Sequence, residues 1–426
     1  MKSFVVRIFA SLIALAFLGN PDVARAQNSR NCAWPIEVSP EGYGNVLLPD
    51  NSARYWLMPF ENEHREMVIK GTYPNARYFS YVAYNGRQPT EIAGSLYDAQ
   101  ITSDPGSANP FQITTTHQLS TYTVKFQRGG QTSGNTIAVS ATNDSWVLLR
   151  IYVPNADPNL SGQNLTGGVP LPTIMVDGQQ LKPCLPVNNL TDLTAVLHLI
   201  FDSDKFDKEV MASEGTPSSD RLWFAPPQQP TVKLFPNPHN KYASMLPGNY
   251  QPGRIIVVHG KAPGFPGTFD GSPIWVPSRG FQRVDMRYWS VCNNDAVLPV
   301  PAVQCAADLT TDLEGGYYTI VISDDMLRPD WLRPNVNWLP WGDELYPKVV
   351  TFRNMLPATD FPYSIQNAAV TPGCTFSFEL PNIPDQTLID ETGPCVQRVM
   401  GDYYPVAAWC DNSTFVHGGW CTAARF

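Results

Sequence analysis

The densest group of side chains able to do chemistry runs from Trp331 to Glu344, reading Trp-Leu-Arg-Pro-Asn-Val-Asn-Trp-Leu-Pro-Trp-Gly-Asp-Glu. Rings such as Trp338 and Trp341 can stack on the apolar C–H faces of sugars while Asp343 and Glu344 meet hydroxyls. The same indoles can equally close the edge of a hydrophobic core. Together with Asp324 and Asp325, the two acids supply the residue types of a glycosidic acid–base pair. His259 is the histidine best placed to act, because it ends an apolar run beside Gly260. His64, His117, His198, His239 and His417 are scattered, and a lone histidine is more often structural than catalytic. Trp338, Trp341, Asp343, Glu344 and His259 are therefore the candidate ligand contacts.

Other chemistries lack their signatures. The sequence contains no Gly-x-Ser-x-Gly elbow, no His-Glu-x-x-His pair, no phosphate-binding Gly-rich loop and no dinucleotide fingerprint. No cofactor and no metal centre is expected from it. The net charge of −9 repels phosphate backbones, and no basic cluster offsets it, so nucleic acid is not an expected partner.

All 8 cysteines lie beyond residue 26, and none forms a CxxC pair. Residues 1–26 read as a secretory signal: Lys2 and Arg7, an apolar run from Ile8 to Leu18, and Ala24-Arg25-Ala26 as the cleavage site. That apolar run is shorter than the roughly 20 residues a spanning helix needs, and no integral membrane segment is expected after it. A secreted or periplasmic chain with an even cysteine count implies disulfides, although eight cysteines allow 105 pairings. Proximity favours Cys292 with Cys305, Cys374 with Cys395 and Cys410 with Cys421, leaving Cys32 for Cys184.

Five short patterns recur in one order. Tyr55, Met58 and Pro59 return as Tyr242, Met245 and Pro247. The run from Met67 to Gly71 returns from Ile256 to Gly260, and Arg77-Tyr78-Phe79-Ser80 returns as Arg287-Tyr288-Trp289-Ser290. Tyr122-Thr123-Val124 is echoed by Tyr318-Thr319-Ile320, and Arg150, Pro154 and Asp157 by Arg353, Pro357 and Asp360. Such order implies a duplicated unit. Shared residues then read as supports: Arg77 and Arg287 on core strands, Arg150 with Asp157 and Arg353 with Asp360 as ion pairs across a turn.

Strand patterns rich in β-branched and aromatic residues dominate, and Pro at 40 of 426 residues supplies turns rather than helices. Several runs are apolar at both parities and need cover on both faces. The expected fold is mainly β: two tandem jelly-roll-like β-sandwich domains at 27–183 and 241–368. A helix and Pro-rich linker at 184–240 join them, and a disulfide-stapled Cys-rich tail at 369–426 closes the chain. Leu193, Val196, Leu197 and Ile200 mark the connector helix by their spacing.

The Arg-Tyr-aromatic-Ser, Tyr-Thr-hydrophobic and Arg-x-x-x-Pro order resembles the jelly-roll-like domain of unknown function that closes a widespread group of two-part bacterial proteins. The second half carries it best, through Arg287-Tyr288-Trp289-Ser290, Tyr318-Thr319-Ile320, Trp338-Leu339-Pro340 and Arg353. The whole chain is similar to uncharacterised secreted bacterial proteins with a Trp-Leu-Pro-Trp-Gly segment. The first half departs, with Asn143-Asp144-Ser145-Trp146 where the second has Trp338-Leu339-Pro340. The resemblance implies a β-sandwich and no activity. On these grounds the expected function is that of a binding or envelope-associated protein, with carbohydrate among its candidate ligands. The alternative is an extracellular hydrolase or lyase acting on a polymer.

Overall fold

A computed structural model describes residues 32–40, 45–86, 91–112, 120–154, 165–184, 219–228, 235–266, 284–297, 300–377, 386–418 and 421. The chain is mainly β. The first half begins with β1 (Cys32–Ala33), β2 (Ile36–Val38), β3 (Ala53–Phe60), β4 (Glu66–Thr72), β5 (Ala76–Asn85) and β6 (Glu91–Tyr97). It continues with β7 (Thr121–Arg128), β8 (Thr136–Val139), β9 (Ser145–Pro154), β10 (Thr173–Val176), β11 (Gln179–Gln180) and β12 (Lys182–Pro183). The second half has β13 (Arg221–Leu222), β14 (Asn240–Met245), β15 (Arg254–Lys261), β16 (Met286–Asp295) and β17 (Ala302–Ala307). Then come β18 (Tyr317–Ser323), β19 (Asn337–Pro340), β20 (Lys348–Pro357) and β21 (Val406–Asp411), with helices α1 (Ile365–Val370), α2 (Gln386–Met400) and α3 (Asn412–Val416).

Strand orders in the two halves correspond. One inner sheet reads β2-β3-β9-β5-β6 and the other β14-β20-β16-β17; the outer sheets read β11-β10-β4-β7-β8 and β13-β21-β15-β18-β19. Registers match too. Arg150 lies opposite Tyr55 and Ser80, and Arg353 opposite Tyr242 and Ser290. Lys70 faces Thr123 as His259 faces Thr319. Each outer sheet ends in a parallel pair, β7 with β8 and β18 with β19.

Each half buries an apolar layer between its inner and outer sheets. A further layer joins the halves: Tyr78, Val82, Tyr84, Leu148 and Tyr152 on one inner sheet meet Tyr288, Ala307 and Met355 on the other. The inner sheets thus lie back to back, and strands apolar at both parities result from it. All but the last residue of β5 and of β16 is buried, because each such strand faces its own core on one side and the other half on the other.

Disulfides join Cys32–Cys184, Cys292–Cys305, Cys374–Cys395 and Cys410–Cys421, the pairs proximity favours. Two boundaries change. Within the stretch read as linker, Arg221–Leu222 add a strand to β21, and Phe224 and Ala225 are fully buried. The tail is more than a wrap: β21 sits inside the outer sheet between β13 and β15, and α2 buries Ile389, Val396 and Met400. Short apolar runs such as Ala407-Ala408-Trp409 are too brief to stand out as strands among prolines and cysteines. The connector helix expected at Leu193 to Ile200 lies outside the described residues.

Candidate functional site

Two polar regions compete for the site. The first is buried between the halves. Arg77 pairs with Asp308, and Arg287 donates to Asp98 at 2.9 and 3.1 Å. Each aspartate follows the strand equivalent to the other's, so the contacts are reciprocal, as at a two-fold interface. Each carboxylate also accepts a backbone N–H, from Phe79 for Asp98 and from Trp289 for Asp308. Nearby, Asp50 pairs with Arg353 and accepts Tyr288 Oη and Ser290 Oγ, both at 2.8 Å.

On the other side, Asn237 stands where Asp50 does. Asp50 accepts the Ser52 amide as Asn237 accepts the His239 amide, and Tyr78 Oη meets Asn237 Oδ1 and His239 Nδ1, the latter at 2.8 Å. Arg150 donates instead to Tyr84 Oη and the Phe235 carbonyl. This corrects the expected Arg353–Asp360 pair: Arg353 is buried while Asp360 is exposed, and the carboxylate that reaches the guanidinium comes from the opposite half. Asp157 lies outside the described residues. Asp50, Arg353, Tyr288 and Ser290 are all buried and bond to one another, with Arg353 also donating to the Leu48 carbonyl and Asp50 accepting the Ser52 amide, which suits support better than turnover.

The second region is the end of the second sandwich where β18 and β19 stop side by side, Ser323 opposite Pro340. Two loops leave there, 324–336 and 341–347. Tyr250 donates to Asp324, and its ring lies 5.8 Å from that of Trp341. Burial raises the Tyr250 phenol, and the bond to Asp324, with the charges of Asp324, Glu344 and Asp325, raises it further. With Asp343 beside Glu344, four carboxylates share one neighbourhood. Around them Met326 is 94%, Leu327 80%, Leu345 74% and Tyr346 37% exposed. Single exposed apolar residues are ordinary, but here each of the two loops carries an adjacent exposed pair.

The loops are held. Lys348 Nζ donates to the Asp343 and Tyr346 carbonyls at 2.6 and 2.7 Å and pairs with Asp295 at 2.8 Å. Burial pulls the Lys348 ammonium below its usual range, and Asp295 opposes that. Gly342 takes a φ of 89°, and a side chain there would press on Val303. Asp343 Oδ1 accepts the Leu345 amide, a turn that fixes the loop tip. In the other loop, Arg328 ties the Arg333 and Val336 carbonyls. A surface ordered before contact loses less entropy on binding.

The expected ligand contacts separate. Asp343 and Glu344 lie exposed at this end. Trp341 does not: it is 1% exposed, packed 5.7 Å from Trp409. It supports the loops from below rather than offering a ring. Trp338 is half-buried, gives its Nε1–H to Ser323 Oγ at 2.9 Å, and packs with Ile255, Val257 and Val321. His259 faces Thr319, four residues from the strand end, about 13 Å along it. Its ring stacks on Tyr317 at 5.4 Å and burial lowers its pKa, so it does not join the carboxylates. Reasoning from spacing misses Tyr250, Lys348 and the exposed Met326-Leu327 and Leu345-Tyr346 pairs. Two apolar pairs each beside two acids are the available signal.

No protein-family model matches the chain, and no curated protein matches it. Among solved structures, it is similar to an uncharacterised protein from Burkholderia cenocepacia at 14% identity and a TM-score of 0.52, covering 78% of this chain and 81% of that one. It also matches the VPA0106 protein from Vibrio parahaemolyticus at 11% identity and a TM-score of 0.39, over 76% and 88%. The Burkholderia structure is alike in fold alone.

Proposed function

We propose that the chain is a secreted or periplasmic, envelope-associated binding protein whose ligand surface is the loop end of the second sandwich, with carbohydrate as the ligand class. Residues 1–26 act as its signal, and the halves are copies of one jelly-roll-like unit, a reading the corresponding strand orders and registers support. Four disulfides suit an oxidising compartment, and among the described residues no helix is long and apolar enough to cross a membrane.

One observation carries the proposal: exposed Leu345 and Tyr346 stand beside Asp343 and Glu344 on a loop pinned by Lys348. The equivalent first-half loop, between β8 and β9, is Ser140-Ala141-Thr142-Asn143-Asp144. Carboxylates beside an aromatic face suit hydroxyl-bearing ligands. Hydrolysis asks instead for an enclosed carboxylate pair with separated proton affinities, and Asp324, Asp343 and Glu344 are all exposed.

The test is a glycan array, followed by titration of any glycan captured. Tyr346→Ala and the Asp343→Asn, Glu344→Gln double variant should each weaken binding about tenfold or more without moving the melting temperature. Undiminished binding by both variants, or no glycan bound by the native protein, overturns the proposal.

A further inference from the structure

Of Arg77, Arg287, Arg353 and Arg150, three meet a carboxylate and the last does not. Arg77 pairs with Asp308, Arg287 with Asp98 and Arg353 with Asp50. Arg150 is 3% exposed and its Nη2 donates to Tyr84 Oη and the Phe235 carbonyl, but no carboxylate among the described residues reaches it. One residue is the reason. Asn237 holds the position that Asp50 holds on the opposite side: each side chain accepts the amide two residues on, and each carbonyl accepts the amide three residues on, at 3.2 and 3.0 Å.

On the Asp50 side, Oδ2 gathers Arg353 Nη1 and Ser290 Oγ. The strand registers assign Arg150 and Ser80 to the matching places. There the His239 amide and Tyr78 Oη engage Asn237 Oδ1, so Nδ2 takes the place of Asp50 Oδ2. Arg150 Nη1 and Asn237 Nδ2 are buried without a hydrogen-bond partner, and Ser80 brings the hydroxyl that Ser290 brings opposite. Where the Asp50 side sets two donors around one anionic oxygen, this side sets three donors around none. A buried guanidinium with no counter-charge and a buried amide N–H with no acceptor are each costly. Water would satisfy the hydrogen bonds but not the charge, whereas an anion satisfies both. We propose that Arg150 Nη1, Ser80 Oγ and Asn237 Nδ2 bind one small monovalent anion of the halide class between the halves, in the part that the Asp50 carboxylate plays opposite. Enclosure this complete favours a small, singly charged ion over phosphate or sulfate, which lose far more hydration on burial.

This site does not depend on what binds at the loop end of the second sandwich. Thermal melts of the disulfide-bonded full chain in sodium chloride and in sodium gluconate of equal ionic strength test it, because gluconate is too large for an enclosed site. Above the dissociation constant, the melting temperature in chloride should rise by about 2 °C per tenfold in salt relative to gluconate. In Asn237→Asp a built-in carboxylate replaces the ion, so the chloride-specific rise should vanish. Equal melting temperatures of the native chain in the two salts mean that only a water fills the place and overturn the proposal, as does a chloride-specific rise undiminished in Asn237→Asp. Where the Asn237→Asp chain fails to fold, native crystals soaked in sodium bromide decide: an anomalous peak within hydrogen-bond reach of Arg150 Nη1 and Asn237 Nδ2 supports the site, and no peak there overturns it.

Discussion

His239 shows how a side chain with no motif around it becomes decisive through its place. It sits between Tyr78 Oη at 2.8 Å and Ser95 Oγ at 3.3 Å. Burial, then Arg150 and Arg287, hold its pKa down to about 4. In the unfolded chain the pKa is about 6.5. Between these values the unfolded state takes up a proton that the folded state refuses. Stability from this group is therefore full above about pH 6.5 and is lost as pH falls toward 4, by a total on the order of 3 kcal/mol. Urea unfolding at pH 7 and pH 4 should show the native protein losing that much more than His239→Gln; parallel losses would contradict the assignment. Nothing local in the sequence marks His239. The recurring patterns do mark Arg77, Arg287, Arg150 and Arg353, which stand at corresponding registers in the two halves. The carboxylates that Arg77, Arg287 and Arg353 meet escape notice because Asp308, Asp98 and Asp50 come from the opposite half, and spacing along one strand cannot reveal a contact across two.

At the scale of elements, the twin glycines are the most informative pair. A Cβ on Gly71 would lie 2.5 Å from Tyr122 Oη, and one on Gly260 would lie 2.6 Å from Tyr318 Oη. Each tyrosine is the cross-strand partner of its glycine, so the pattern Gly opposite Tyr is one packing device used twice. Gly260→Ala should cost about 1 to 3 kcal/mol through overpacking. Tyr318 Oη is buried without a hydrogen bond, so Tyr318→Phe should be nearly neutral alone and recover part of that loss in the double variant. A double-mutant cycle by thermal melts checks it, and strictly additive effects would show that the two residues do not meet. Paired strands were legible from β-branched and aromatic runs. The helix α2 was not, since Gly393 and Pro394 interrupt its pattern, nor was β21, whose buried run is too short to display a period.

For the whole molecule, the inner sheets are each other's cover, and neither half has a finished surface without its partner. Reciprocal Arg77–Asp308 and Arg287–Asp98 pairs add to this, because separating the halves would leave buried charges unpaired. Calorimetry of the disulfide-bonded chain should give one unfolding transition; two well-separated transitions would mean that the halves fold independently. The need for cover on both faces was legible in the sequence, whereas the source of that cover, the other half, required the topology. What distinguishes the halves lies away from this shared interface, at the loop end that only the second half elaborates. The most direct test of ligand binding there is carboxyl footprinting by mass spectrometry, with and without soluble glycan fragments from the envelope of the producing cells. Asp324, Asp343 and Glu344 should be protected while Glu66, Asp144 and Asp177 of the first half stay unchanged, whereas protection confined to the first half, or none anywhere, would refute the loop-end site.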